Sequence, residues 1–335
     1  MSHNTVATAD AADPADPPGR GDAPRAGERP VPGGPATEAV PAGAATAAAP
    51  AHPAAARTSR RAAVAPLARR LGFALAVTTL ALLVLAALVP GLLSSASPVE
   101  THPAEALTPP GAEHWFGTDQ LGRDLFTRVL HGARPSLLLG LGATVFAVAG
   151  GTALGLAAAL GGRWADQALM RLADILLALP PILLALLAVT ILGTGSLNVM
   201  LAIAIAFVPG YARIVRAETL VVRRSGYVEA AVGLGLPRPL LIARHVLPNA
   251  VGPMLVLAAV GFGTALIAAS GLSFLGLGPQ PPSPEWGAML SQGRRFLATA
   301  WWIGVFPGAA ITTAALVVNV LGRRAQARFT RRTEA

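Results

Sequence analysis

The stretch Tyr227–Asn249, YVEAAVGLGLPRPLLIARHVLPN, is a polar and basic interruption between two long apolar runs, and the rest of the chain is organised around it. Ser225 is a residue type that caps helices, which predicts that a short helix begins here. Glu229 falls in the first turn of that helix, where a carboxylate suits the helix dipole. Ala230 and Ala231 keep one face of the helix small enough for close docking.

Glycine and proline divide this stretch into two predicted helices. Gly233 and Gly235 end the first helix, and we expect Gly235 to have a positive φ as the turn residue. Pro237 and Pro239 fit only the first turn of a helix, so they predict the start of a second one. That second helix would carry an apolar edge of Leu240, Leu241, Ala243 and Leu247, with a boundary at Pro248.

Six residues of the stretch carry a resemblance to a known family: Glu229, Ala230, Ala231, Gly235, Leu247 and Pro248. They resemble the EAA loop, here residues 227–249, of binding-protein-dependent ABC transporter permeases. The resemblance implies that the loop docks into an ATPase subunit. The residues alone leave a second interpretation open, an ordinary amphipathic connector whose glycines and prolines only separate two helices.

The composition is that of a membrane protein. Apolar residues make up 53% of the chain and charged residues 13%, whereas charged residues make up about 25% of an average soluble domain. All 26 basic residues are arginine. Because a phosphate-binding loop that ends in Gly-Lys-Ser/Thr needs a lysine, the chain is not itself a P-loop ATPase.

The residue types give no sign of a catalytic centre, a metal site or a cofactor site. The chain has no cysteine, which excludes disulfides and thiolate metal sites. Its six histidines are scattered, without the spacing of a metal motif such as HExxH. We therefore predict no catalytic residue, no metal ligand and no cofactor.

The first part of the chain predicts a tail followed by a membrane anchor. Residues 1–66 are rich in alanine, proline and glycine with no leucine, isoleucine or phenylalanine, which predicts a disordered cytoplasmic tail. The run Leu71–Leu93 is long enough to cross about 30 Å of hydrocarbon as a helix. Residues 94–96 mimic a signal cleavage site, but the apolar run is too long for a typical signal peptide, so we predict an uncleaved anchor. Region 67–135 thus comprises the first membrane helix and an external loop.

The external loop contains the sequence HWFGTDQLGRDLFTRVLHGARPSL within a polar segment, residues 97–134, that has five acidic residues and three arginines. Thr118 and Asp119 can begin an Asx-type turn or a helix cap. Asp124 and Arg128 have the spacing of an i, i+4 pair on the helix that follows. No catalytic group can be assembled from these residues.

This loop also resembles a branch of the same permease family, the one that transports dipeptides, oligopeptides and nickel. The matching residues are Trp115, Phe116, Gly117, Thr118, Asp119, Leu121, Gly122, Arg123 and Asp124. Two further stretches, Phe274–Pro279 and Trp286–Leu290, are similar to the same branch. Either the loop motif has a functional role in transport or it only orders an external loop.

Five more apolar runs predict five more membrane helices: Ser136–Leu160, Leu172–Leu192, Leu197–Tyr211, Val251–Leu277 and Leu297–Leu321. They fall in region 136–322, which resembles the ABC type-1 transmembrane permease domain, and a basic cytoplasmic tail, residues 323–335, follows it. The predicted fold is therefore an all-α integral membrane protein with six transmembrane helices and the ABC type I importer permease fold.

The third predicted span, Leu172–Leu192, contains an acidic residue and two adjacent prolines that bear on the transport path. Residues 161–171 are expected to form a short turn, and Asp174 is expected to pair with Arg171 at the membrane surface. Pro180 and Pro181 predict a kink or an unwound turn, which is tolerated where neighbours or water satisfy the freed carbonyls. The two prolines are the best sequence pointer to a translocation path, and an ordinary structural kink is the alternative.

The distribution of arginine predicts the orientation. The segment before the first span, the loops at 161–171 and 212–250 and the end of the chain are basic, whereas residues 193–198 carry no charge. Because basic residues concentrate on the cytoplasmic side, we predict that both termini are cytoplasmic in a bacterial cell membrane. The EAA-like loop then lies in the cytoplasm, and the loops of Trp115 and Trp286 lie outside.

The residues and the resemblance together predict the permease subunit of an ATP-driven ABC importer for short peptides delivered by an extracytoplasmic binding protein. The expected partners are ABC ATPase subunits that hydrolyse ATP, a second homologous permease, the binding protein and membrane lipid, without nucleic acid. Three alternatives stay open: the same machinery importing nickel or another small solute, a self-contained secondary transporter or channel, and a non-transporting scaffold. A secondary transporter usually needs ionisable residues inside its spans, and these are nearly absent here.

Overall fold

The computed structural model describes residues 55–333, so residues 1–54 and 334–335 lie outside the described part of the chain. Most of the predicted tail, residues 1–66, falls outside it as well. The last residues of that tail are helical from Ala55 onward, because the helix that carries the first span begins before the predicted limit at residue 66.

Helices make up the architecture of the described residues. They are α1 Ala55–Leu88, α2 Leu125–Leu160, α3 Gly162–Leu177, α4 Pro181–Leu192, α5 Ser196–Arg223, α6 Gly226–Gly233, α7 Arg238–Leu241, α8 Leu247–Phe274, α9 Trp286–Gly293 and α10 Trp302–Thr333. A π-helical turn, Ile242–Val246, joins α7 to α8. Residues 55–333 contain no extended strand, which confirms the all-α prediction.

Five helices are long and apolar enough to cross a membrane: α1, α2, α5, α8 and α10. A sixth span arises when α3 and α4 are taken as one pair, because together they pass the same test of length and composition. The two helices of this pair are bent by 99° at the break between them. The predicted count of six spans is therefore confirmed, with the third one broken.

Several predicted limits of the helices are wrong. The second helix begins at Leu125 instead of residue 136, the fourth continues to Arg223 instead of ending at residue 211, and the last begins at Trp302 instead of residue 297. The fourth span was expected to end at residue 211, just after Pro209, but Pro209 lies inside α5, and Pro135 likewise lies inside α2. Tertiary packing offsets the lost backbone hydrogen bond, since Pro209 is buried within the bundle.

The helices α2 and α5 form the closest pair, and small residues explain why. A Cβ added to Gly151 would lie 2.4 Å from Cβ of Tyr211, and one added to Gly155 would lie 2.6 Å from the carbonyl oxygen of Ala212. The two backbones can approach this closely only where α2 has no side chain. One apolar core joins α2, α4, α5 and α8, and a second joins α1, α2, α8, α9 and α10.

Candidate functional site

The α6–α7 loop, residues 225–247, has the predicted helix, glycine turn and helix. At the end of α6 the N–H of Gly235 donates to the carbonyl of Val232 (3.0 Å), and the N–H of Leu236 donates to the carbonyl of Ala231 (3.2 Å). This pair of bonds is the Schellman ending of a helix, which needs a left-handed residue after the last turn. Gly235 supplies it with φ +78°, as predicted.

Two expectations for this loop are corrected. Ser225 occupies the N-cap position of α6, but its hydroxyl donates to the carbonyl of Val222 instead of capping the helix. Pro248 is not a boundary, because the chain stays helical from α7 through the π-helical turn into α8. Proline has no N–H for the carbonyl four residues back, and the backbone widens just before it, where the N–H of Leu247 bonds to Ile242.

The loop exposes large apolar side chains outside the membrane spans. Leu234 is 82% exposed, and the other exposed members are Tyr227, Val232 and Leu240. Glu229 and Ala230 of the predicted motif are also exposed, whereas Ala231 is buried against the bundle. These apolar side chains therefore remain exposed on a segment that connects two spans.

A cavity of about 760 Å³ lies behind the loop, between α6, α7 and the adjoining ends of α2 and α5. Its apolar lining comprises Leu160, Val228, Val232, Leu236, Leu241 and Ile242. Arg223 also lines it and donates from Nη1 to the carbonyl of Ala159 at 2.5 Å. A cation at the carbonyl end of α2 is favoured by the helix dipole, so Arg223 ties the end of α5 to the end of α2.

The second predicted motif folds at the opposite end of α2. We call the buried polar residues at this end the polar cap: Thr118, Asp119, Arg123 and Arg128 from the stretch that contains the motif, and Glu285, which precedes α9. Asp119 is 3% exposed, and its Oδ1 accepts the N–H of Leu121 at 2.8 Å and that of Arg123 at 3.1 Å. The bond to the residue two positions on is an Asx turn, as predicted.

The charges of the polar cap pair differently from the prediction. Oδ2 of Asp119 accepts a hydrogen bond from Nε of Arg123 at 2.6 Å and lies 3.5 Å from Nε of Arg128. Nη1 of Arg128 donates to the carbonyl of Pro98 at 2.8 Å. The expected pair between Asp124 and Arg128 does not form. Asp124 is instead the N-cap of α2 and accepts the N–H of Thr127 at 2.8 Å, so its carboxylate lies before the helix.

Two glycines of this motif are required by close contacts. Gly117 and Gly122 both have φ +73°. A Cβ on Gly117 would lie 2.8 Å from Nε1 of Trp302, and one on Gly122 would lie 1.8 Å from the carbonyl oxygen of His102. Trp115 and Leu121 of the predicted set lie outside the cap with exposed side chains, and the ring of Trp115 lies 5.0 Å from that of Phe126.

Glu285 is a buried carboxylate that the sequence did not reveal. It caps α9 by accepting the N–H groups of Gly287 (2.9 Å) and Ala288 (2.7 Å), and the hydroxyl of Ser136 donates to it at 3.3 Å. Burial raises the pKa of the Glu285 carboxyl above its ordinary value, and these hydrogen bonds oppose the rise. Ser136 is 149 positions away in sequence, so no local pattern could have indicated the contact.

Two tryptophans fasten the cap to the helices around it. Nε1 of Trp286, at the start of α9, donates to the carbonyl of Val129 at 2.8 Å. Nε1 of Trp302, at the start of α10, donates to the carbonyl of Thr118 at 3.0 Å. The polar cap therefore joins α2, α9 and α10 through bonds that are buried or partly buried.

The predicted kink at Pro180 and Pro181 is confirmed as the 99° break between α3 and α4. The expected turn at residues 161–171 is wrong, because α3 begins at Gly162. Asp174 does not pair with Arg171 but with Arg213 of α5. A second pair on the same helices, Asp166 with Arg216, was not predicted, since its members are 50 positions apart.

Comparisons with known proteins give a consistent result. Residues 151–335 match the model of the family described as "Binding-protein-dependent transport system inner membrane component". The dipeptide transport system permease protein DppC of Alkalihalophilus pseudofirmus is 46% identical over 239 residues, 71% of this chain and 79% of that protein. The probable D,D-dipeptide transport system permease protein DdpC of Escherichia coli is 48% identical over 219 residues, 64% of this chain and 72% of that protein.

A solved structure is also similar. The inward-facing MetNI methionine ABC transporter aligns with 61% of this chain and 97% of that chain, at 17% identity and a TM-score of 0.49.

Proposed function

The chain belongs to the family of binding-protein-dependent transport system inner membrane components, and from this premise we propose that it imports short peptides as a permease subunit of an ATP-driven ABC importer. The names of the two sequence relatives, both dipeptide permeases, support peptides as the cargo. The chain would do no chemistry itself, and its spans would form half of the path, with a second homologous permease forming the other half.

The observation that carries the coupling part of this proposal is the exposed apolar surface of the α6–α7 loop. Tyr227, Val232, Leu234 and Leu240 are exposed on a helical loop that connects two spans. In the assembled importer this surface would be covered by an ABC ATPase subunit. Movement of the ATPase would then reach α5 and α8 directly, because α6 follows α5 and the π-helical turn runs into α8.

The orientation follows from the same assignment. We place the α6–α7 loop and both termini in the cytoplasm, where ATP is available and where arginine concentrates. The polar cap, at the other end of α2, then faces the extracytoplasmic side of a bacterial cell membrane. A solute-binding protein would deliver peptide there. ATP hydrolysis would take place in the partner subunit, because this chain has no lysine for a phosphate-binding loop.

The test is reconstitution of the complete importer in liposomes with Glu229→Lys in this chain. A lysine at this position places a cation in the first turn of α6 and reverses the charge offered to the partner, so we expect lower ATPase co-purification or lower hydrolysis stimulated by the binding protein. Glu113→Lys is the matched control for ATPase co-purification, because Glu113 is also exposed but lies in the loop before α2, on the opposite side of the membrane. Coupling that is unchanged in Glu229→Lys would reduce the loop to a plain connector.

The cargo is tested separately on the binding protein. Titration with dipeptides to pentapeptides should show saturable binding and should stimulate uptake by the reconstituted parent. Saturable binding of nickel without binding of peptides would contradict the peptide assignment and leave the coupling assignment standing.

A further inference from the structure

The helix α3 is attached to the rest of the protein in an unusual way. Its sixteen residues bury only one side chain, that of Ala173. A cavity of about 770 Å³ separates part of α3 from α5, with a lining that includes Trp164, Met170 and the charged residues between the two helices. Apart from Ala173 and from Leu176, which packs against the first apolar core, α3 makes few apolar contacts, so charged contacts contribute to its position.

Two ion pairs cross this cavity, and we call them the α3–α5 clamp: Asp166 with Arg216, and Asp174 with Arg213. Arg216 binds Asp166 with both arms of the contact, Nε to Oδ1 and Nη2 to Oδ2, the second at 2.6 Å. A planar guanidinium that binds a carboxylate twice fixes the relative orientation of the two side chains and so links the two helices at this point. The second pair lies further along α3, so the clamp also restricts rotation.

The clamp lies close to the α6–α7 loop along α5. Arg216 is seven residues before the end of α5, about 10 Å along the helix axis, and α6 begins three residues after that end. Arg223, the last residue of α5, links the end of α5 to the end of α2 through the carbonyl of Ala159. A displacement of α6 that moves the end of α5 therefore acts on the clamp within two helical turns.

The other end of α3 leads to the broken span. After the 99° bend at Pro180 and Pro181, α4 packs into the core with α5 through Leu184, Ala185, Ala188 and Val189. The pair α3–α4 thus touches α5 at two places, through charges near the α6–α7 loop and through apolar side chains beyond the bend.

Resting on the function proposed above, we propose that the α3–α5 clamp transmits movement of the α6–α7 loop to the broken span. Asp166, Asp174, Arg213 and Arg216 are positioning residues: they touch no substrate and act by making α3 follow α5. When ATPase closure shifts α6, the clamp carries α3 along and bends or straightens the α3–α4 pair beside the transport path.

Charge reversal and its compensation test this inference in the reconstituted importer. Asp166→Arg and Arg216→Asp, each alone, place like charges on both helices. Each should lower peptide uptake per ATP hydrolysed about tenfold, within the range that residues on a coupling route produce. The double variant Asp166→Arg/Arg216→Asp restores opposite charges in reversed order, and we expect it to recover most of the lost coupling. Arg171→Ala is the matched control, because Arg171 lines the same cavity without an ion pair to a described residue.

The readouts separate coupling from folding and from the proposed function. Asp166→Asn, which keeps the size of the side chain, should also reduce uptake per ATP while membrane abundance and ATPase co-purification stay at the parent level. Single variants with the same uptake per ATP as the parent, or a double variant whose uptake per ATP is no higher than that of either single variant, would overturn the proposed role of the clamp. A parent complex whose ATP hydrolysis does not respond to the binding protein and peptide would overturn the proposed function instead.

Discussion

The α6–α7 loop and the polar cap lie at opposite ends of α2, a helix of 36 residues that is about 54 Å long, and they are built in opposite ways. The loop is defined by its backbone: a Schellman ending at Gly235, a π-helical turn and apolar side chains left exposed. The cap is defined by side chains: a buried carboxylate between two arginines, a second buried carboxylate and two tryptophan donors.

The loop exposes a surface to which the proposed function assigns a partner, whereas the polar cap supports the fold from inside. The cap pairs its charges internally, since Asp119, Arg123 and Arg128 are each less than 5% exposed and both arginines contact Asp119. Such a group holds α2, α9 and α10 in fixed positions. The loop has few such bonds, so its conformation depends on local backbone geometry and, in the function proposed above, on the ATPase subunit that would cover it.

The largest expected effect comes from removing the central charge of the polar cap. Asp119→Ala leaves two buried guanidinium groups without their carboxylate, which costs about 3–5 kcal/mol of unfolding free energy. We expect low membrane abundance and a lower thermal unfolding midpoint in detergent. Glu113→Ala, which removes an exposed carboxylate from the same loop, is the control and should unfold like the parent. An Asp119→Ala protein as stable as the control would show that the cap does not support the fold.

A smaller effect is expected at the loop, and it should appear in coupling before it appears in folding. Gly235→Val forces a branched side chain to φ +78°, at about 1–2 kcal/mol of strain. Space is not the obstacle, because a Cβ at this position would meet nothing within 4 Å. Stimulated ATP hydrolysis should therefore fall while membrane abundance stays close to that of the parent.

Gly235→Asn is the control for this substitution, because asparagine tolerates the left-handed conformation far better than valine. We expect its stimulated hydrolysis to lie close to that of the parent. Equal losses of stimulated hydrolysis in both variants would mean that the partner contacts the chain closely at position 235 and tolerates no side chain there. The explanation by backbone conformation would then be wrong.

The sequence predicted the two regions to different depths for the same physical reason. The glycine turn of the loop depends on neighbours within five residues, and the positive φ of Gly235 followed from them. The Asx turn at Asp119 is equally local and was also predicted. Partners of the charged residues depend on tertiary packing, so the pairs Asp124–Arg128 and Asp174–Arg171 were wrong.

The predicted helix limits were wrong where a proline was interpreted from its local sequence alone. Proline costs a backbone hydrogen bond in any helix, but within a packed bundle the neighbouring helices offset that cost. Pro135, Pro209 and Pro307 all lie inside helices of this protein. Pro180 and Pro181 do end a helix, where two prolines in succession remove two donors. The context of each proline, which the sequence does not contain, decides the outcome.

The smallest expected effect sharpens the comparison by its dependence on pH. Burial raises the pKa of Glu285 above its ordinary value of 4.5, so the folded cap holds this proton more tightly than the unfolded chain does. The stabilisation that results is fully present below the unfolded pKa and is lost as the pH rises through the folded pKa.

Glu285→Gln removes the titration and keeps an oxygen for the N–H groups at the start of α9. The difference between the unfolding midpoints of the parent and this variant should therefore favour the parent more at about pH 4 than at about pH 7.5. Glu229→Gln, which replaces an exposed carboxylate of the α6–α7 loop, is the control for the loss of a carboxylate outside the cap. A difference that favours the parent more as the pH rises would mean that the hydrogen bonds to Glu285 outweigh its burial, and the cap would then hold a carboxylate that is stabilised in its charged form.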